Sequence, residues 1–166
     1  MSKKEMVLDQ LAMCRNVDSW VKPLSKALIG LRLEEATWKP NASSNSIGEI
    51  ANHLLFYNSR WMKRFKGKAV GEAPELNSST FQTVEGLTEE SWQQQVNELD
   101  AGLAEWQSAI EASTEEELHA HIPGFPEDAI WWEALSSLCV HNAYHLGQII
   151  YIRKALGNWE IAPDWE

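Results

Sequence analysis

The chain has 166 residues, of which 44% are hydrophobic, 23% charged and 10% aromatic. That length suits a single domain, 1–166, able to bury a core without disulfides, and the composition excludes a disordered, collagen-like or disulfide-stapled chain. Fourteen Lys and Arg against 24 Asp and Glu leave a net charge of −10, which repels phosphate backbones and argues against a nucleic-acid partner.

From residue 4 to 31 the apolar positions Met6, Met13, Val17, Trp20, Leu24, Leu28 and Leu31 recur at helical spacing. Pro23 lies inside this stretch and predicts a kink or a division of the helix. Residues 36–45, dense in Pro, Ser and Asn, read as a loop. Ser46-Ile47-Gly48-Glu49 then spells a capping box, in which the hydroxyl and the carboxylate each cover a free backbone N–H. Ile50, Leu54, Tyr57 and Trp61 continue the stripe of this second helix to about residue 66, and Gly67 ends it. The basic residues Lys63, Arg64, Lys66 and Lys68 fall at that C-terminus, where they complement the helix dipole.

Residues 68–86 form a long loop. Thr88 opens the third helix as its N-cap, with Glu89 and Glu90 at the positive end of the dipole and Leu87 placed to staple onto Trp92. Trp92, Val96, Leu99, Leu103, Trp106 and Ile110 alternate steps of four and three, the seam of a bundle. Residues 113–126 are irregular, broken by Pro123, Gly124 and Pro126. The fourth helix runs from about 128 to 156 and stops before Gly157-Asn158, with Trp131, Leu135, Leu138, Ile149 and Ile152 on its inner face. Four amphipathic helices, with long irregular loops between the second and third and between the third and fourth, predict an all-α four-helix bundle.

No stretch approaches 18 apolar residues, so no membrane span and no membrane partner are expected. Lys3 and Lys4 precede an apolar run, but Asp9, Gln10 and Arg15 interrupt it, and Leu11-Ala12-Met13 offers no lipoprotein signal before Cys14. Two cysteines, Cys14 and Cys139, make no disulfide framework. A cytoplasmic protein with reduced thiols is the expectation. Nine tryptophans, spread from Trp20 to Trp165, read as packing residues.

The chemistry concentrates in three histidines. His141 and His145 lie one turn apart on the fourth helix, within the series Trp131, Leu135, Leu138, His141, His145, Gln148 and Ile152 that faces the core. His53 lies on the second helix, three residues after Ile50 and one before Leu54, and points inward too. Inward side chains on facing helices are how bundles build metal sites, and three His with an open position is a catalytic rather than a structural zinc pattern. The competing explanation is three core imidazoles satisfied by Glu49, Gln148 and tyrosine hydroxyls. Glu49, one turn before His53, is either a partner or general base for the site or simply half of the capping box. Gln148, three residues after His145, is placed to hydrogen-bond it. Tyr57, Trp61 and one of the pair Trp131 and Trp132 are candidates to wall a substrate pocket. Cys139 is rotated away from the metal face, Cys14 has a packing role, and His119 and His121 fall in a solvated loop.

Ser46-Ile47-Gly48-Glu49-Ile50 through His53 and Trp61 resembles the second-helix signature of the DinB/YfiT-like four-helix bundles. His141-Asn142-Ala143-Tyr144-His145-Leu146-Gly147-Gln148-Ile149, with Arg153 and Gly157 behind it, resembles their last helix, and Trp38-Lys39-Pro40 their tryptophan–proline element. The resemblance spans the chain. It implies a divalent metal, zinc or nickel, on His53, His141 and His145. It also implies a homodimer, and a reaction that is either the transfer of a low-molecular-weight thiol to an electrophile or a hydrolysis. The rival expectation is a non-catalytic, stress-related binding or interaction protein whose metal only braces the bundle.

Overall fold

Four long helices carry about half of the chain. The computed structural model describes residues 1–82 and 86–159; residues 83–85 of the long loop and 160–166, Trp165 among them, lie outside that description. In chain order the elements are α1 (Lys3–Arg15), α2 (Leu24–Ala27), α3 (Leu33–Thr37), α4 (Ile47–Phe65), a 3-10 turn (Asn77–Phe81), α5 (Glu89–Ala112), α6 (Glu115–His119) and α7 (Trp131–Leu156). Among the described residues there is no strand, only an isolated antiparallel bridge between His121 and Ile130. The all-helical class is as expected.

The first segment differs from the expectation of a helix over 4–31. Helix α1 stops at Arg15, capped by Asn16, and the chain turns before Pro23 starts the short α2. Asn16, Asp18 and Ser19 favour local turns over helix, and Pro23 disfavours helical conformation in the residue before it. The buried face of α1 is Val7, Leu11 and Cys14, one position on from the Met6 and Met13 face read from spacing. Val17 is 47% exposed and Trp20 92% exposed, so neither belongs to the core. Helix α3 begins inside what reads as approach to a loop, because Glu35 accepts from the Arg32 N–H and Glu89 of α5 accepts from the Leu33 N–H. The fourth long helix begins at Trp131 rather than 128, and its first N–H donates to the Ala120 carbonyl.

The other boundaries follow their local signals. Ser46 and Glu49 exchange capping-box bonds at 3.2 and 2.8 Å, and Thr88 does the same with Ser91. Gly157 ends α7 in the left-handed conformation, φ 76°, where a Cβ is disfavoured.

Helix α1 packs on α5 and α7, and α4 packs on the same two helices, so the four long helices enclose a shared interior. Its first cluster gathers α2, α3 and the matching ends of α4, α5 and α7 around Leu54, Leu103 and Ile149. The second joins α1 to α5, α6 and α7 through Val7, Leu11, Trp106, Ile110 and Leu138. Trp92 and Trp106 are fully buried, and each indole N–H reaches a carbonyl, Leu31 at 2.8 Å and Asn58 at 3.3 Å. Truncating either ring to Ala removes packing worth about 3–5 kcal/mol. Along α4 and α7 the polar residues His53, Asn58, Asn142 and His145 are buried between apolar neighbours. That placement needs internal partners.

Candidate metal centre

The three histidines meet where α4 faces α7. His53 is 1% exposed, His145 5% exposed and His141 half-buried. One nitrogen from each lies within 4.8 Å of the others. The His53 and His141 Nε2 atoms are 2.9 Å apart, and the rings contact one another in all three pairs, with centroids 4.5 to 5.0 Å apart.

The outward nitrogens are held. His145 Nδ1 lies 2.7 Å from Gln148 Oε1, an acceptor, so His145 carries its proton there and turns the Nε2 lone pair inward. His53 Nδ1 lies 2.6 Å from the Thr80 hydroxyl in the 3-10 turn, and Phe81 stacks on the other side of the ring at 3.9 Å and 11°. His141 Nδ1 is buried with no hydrogen-bond partner among the described residues. Burial, and secondarily the neighbouring imidazoles, lower the pKa of His53 to about 4. Burial and the His145 ring lower His141 to about 4, and burial lowers His145 as well, opposed by its bond to Gln148. All three rings are therefore neutral at pH 7, the state a metal ligand requires.

The donor set fits a divalent ion. Nitrogens sharing a tetrahedral zinc at about 2.0–2.1 Å stand roughly 3.4 Å apart, so the His53–His141 pair at 2.9 Å would open slightly while separations of up to 4.8 Å within the cluster would close. His53, His141 and His145 would hold the ion, each through the nitrogen that faces the other two. Among the described residues, no carboxylate belongs to the cluster. Glu49 gives one oxygen to the Ser46 N–H and the other to the Lys39 ammonium at 2.7 Å, which leaves it on the capping box rather than on the histidines.

A cleft of about 750 Å³ opens onto the histidines. Tyr57, Trp61, Phe81 and Tyr144 form its aromatic walls, and Asn45, Asn77, Ser137 and Gln148 its polar rim. Trp131 is placed differently from the expectation of a pocket wall: it is buried behind Trp61, edge-on to Phe65, because the first turn of α7 faces the apolar core. Trp132 lies instead under the Lys3 ammonium, 4.0 Å from the ring centre. A larger groove of about 950 Å³ between α2 and the end of α7 contains none of the histidines.

Cys139 and Cys14 pack together away from the site, the Cys14 thiol 3.4 Å from the Cys139 carbonyl. Burial pushes Cys14 up to about 11 and Cys139 higher still, so both stay protonated. His119 and His121 are exposed. Sequence reasoning did not find Thr80 and Phe81, whose loop has no periodicity, nor Asn142, which is more deeply buried than the adjacent His141.

The model of the DinB superfamily matches residues 21–149, a span that includes all three histidines. The chain belongs to the DinB superfamily. Searches of curated proteins and of solved structures return no match. Its place among DinB proteins accords with the helical fold and with a three-His cluster compatible with metal binding.

Proposed function

We propose that this DinB-superfamily chain is a divalent-metal-dependent enzyme, built as a four-helix bundle, that activates a thiol or a water molecule against a small electrophile. One observation carries the reading: three neutral imidazoles from α4 and α7 turn nitrogens toward one another at the foot of an open aromatic cleft. Zinc or nickel suits three imidazole donors. A divalent ion held there supplies uncompensated positive charge, which lowers the pKa of bound water to about 7 or ionises a bound thiol.

The chain's own groups do the rest. Gln148 fixes the tautomer of His145. Tyr57, Trp61 and Phe81 offer ring faces to an apolar or aromatic substrate and keep bulk water from its reacting end. The protein works as a cytoplasmic homodimer, with a low-molecular-weight thiol as co-substrate in the transferase version.

A second reading, a binding protein whose metal braces the helices, is favoured by the commitment of Glu49 to Ser46 and Lys39, which leaves no carboxylate base beside the histidines among the described residues. Activity against a panel of small electrophiles separates the two. The enzyme reading expects turnover that chelation abolishes and zinc or nickel restores, while the helical circular-dichroism signal persists. Turnover only with an added small thiol selects the transferase; turnover without one selects the hydrolase. Unfolding on chelation, with no turnover on any substrate, overturns the enzyme reading.

A further inference from the structure

Thr80 is 4% exposed and sits in the 3-10 turn, 27 residues beyond His53 in sequence. Its hydroxyl makes two short contacts: 2.6 Å to the Asn77 carbonyl and 2.6 Å to His53 Nδ1. A hydroxyl has one hydrogen and a carbonyl has none. If that hydrogen went to His53, the Thr80 and Asn77 oxygens would face each other with no proton between them. Both contacts are satisfied only when Thr80 donates to Asn77 and accepts from a protonated His53 Nδ1. The turn itself is fastened to α4 on either side of the histidine. Asn52 donates to the Thr80 and Gln82 carbonyls at 3.1 and 2.9 Å, and the Tyr57 hydroxyl donates to Asn77 Oδ1 at 2.8 Å.

We infer that Thr80 is a positioning residue of the metal centre, holding His53 in the tautomer whose Nε2 lone pair faces His141 and His145. The inference rests on the metal-site reading for its consequence but not for its test. Outer partners of ligating histidines fix ring orientation and ligand basicity, and their loss typically costs about 10–100-fold in metal affinity. Threonine reaches His53 from a loop that the helical pattern does not include, so the long α4–α5 connection supplies part of the site.

The experiment compares wild type with Thr80→Val, nearly equal in shape but lacking the hydroxyl, and with Thr80→Ser, which restores it. Long-range 1H–15N spectra of the metal-free proteins report the His53 tautomer directly. Wild type and Thr80→Ser should show His53 protonated on Nδ1, and Thr80→Val a mixture or the Nε2–H form. Chelator competition with zinc should give a Kd about 10–100-fold weaker for Thr80→Val and within a few-fold of wild type for Thr80→Ser. An unprotonated His53 Nδ1 in wild type overturns the inference even if Thr80→Val does not fold. So does a Thr80→Val protein with unchanged tautomer and unchanged zinc affinity. Failure of wild type to bind zinc or nickel sinks the metal reading instead, and the tautomer spectra then still decide what Thr80 does.

Discussion

Asn58 and Asn142 exchange two hydrogen bonds across the α4–α7 contact, at 2.8 and 3.2 Å, with both side chains buried. Asn142 adjoins His141, and Asn58 follows His53 by five residues, so the amide pair fixes how the two histidine-bearing helices slide against each other. Replacing Asn142 with Leu leaves the buried Asn58 Oδ1 without its donor, the Asn58 NH2 keeping only the Leu54 carbonyl, and should destabilise the chain by about 1–3 kcal/mol in urea denaturation. The double variant Asn58→Leu/Asn142→Leu should recover part of that loss yet bind zinc more weakly than wild type. Equal zinc affinity in the double variant would show that the pair plays no part in aligning the site.

Acid should weaken the metal-free protein over a defined window. His53 and His141 have folded pKa values of about 4, lowered first by burial and then by neighbouring rings. Their unfolded values are about 6.5. Between those limits the unfolded chain binds protons that the folded chain refuses, so their stabilising contribution is intact above about pH 6.5 and declines as pH falls toward 4. Urea midpoints measured from pH 8 to 4 should drop through that range, and His53→Leu should flatten the drop. A midpoint that rises toward pH 4 contradicts the burial of these rings.

Arg153, two turns beyond His145, ties α7 to the end of α2. Its guanidinium donates to the carbonyls of Ala27, Ile29 and Lys26 at 2.9 to 3.3 Å, and also to Asn158. The Lys26 and Ala27 carbonyls are free ends of a very short helix, and Ile29 follows its C-cap. Arg153→Met keeps the aliphatic stem and should destabilise the fold by about 1–3 kcal/mol, with zinc affinity within a few-fold of wild type. A large loss of zinc binding without loss of stability would place Arg153 in the site instead.

Trp61 should separate substrate binding from metal binding. It walls the cleft but approaches no histidine ring, its ring partners among the described residues being Phe125 and Trp131. Trp61→Ala should leave metal content unchanged and raise KM about tenfold, the scale of one lost aromatic contact. Unchanged KM on every active substrate would move the binding surface away from this cleft.

Features governed by neighbouring residues were legible in the sequence. The capping boxes at Ser46 and Thr88, the α5 seam from Trp92 to Ile110, the stop at Gly157 and the inward facing of His53, His141 and His145 all rest on spacing along a helix, while the meeting of the three across α4 and α7 is expected from the bundle and the family resemblance. What depends on distant partners was not. Helix α3 is held by Glu89 of α5, and the Lys4 N–H of α1 reaches Glu115 at the start of α6. Thr80 meets His53 only because Asn52 and Tyr57 pull the loop onto α4. In α1 the true inner face, Val7, Leu11 and Cys14, sits one residue from the Met6 and Met13 pattern, since flexible methionines satisfy helical spacing without being the most buried side chains.

Metal content decides whether His53, His141 and His145 hold one divalent ion. Protein purified without a polyhistidine tag, exposed to zinc or nickel and desalted, should carry about one ion per chain by mass spectrometry, and His53→Ala, His141→Ala and His145→Ala should each lose most of it. An empty wild-type protein, or full metal content in His141→Ala, would contradict a three-histidine metal site.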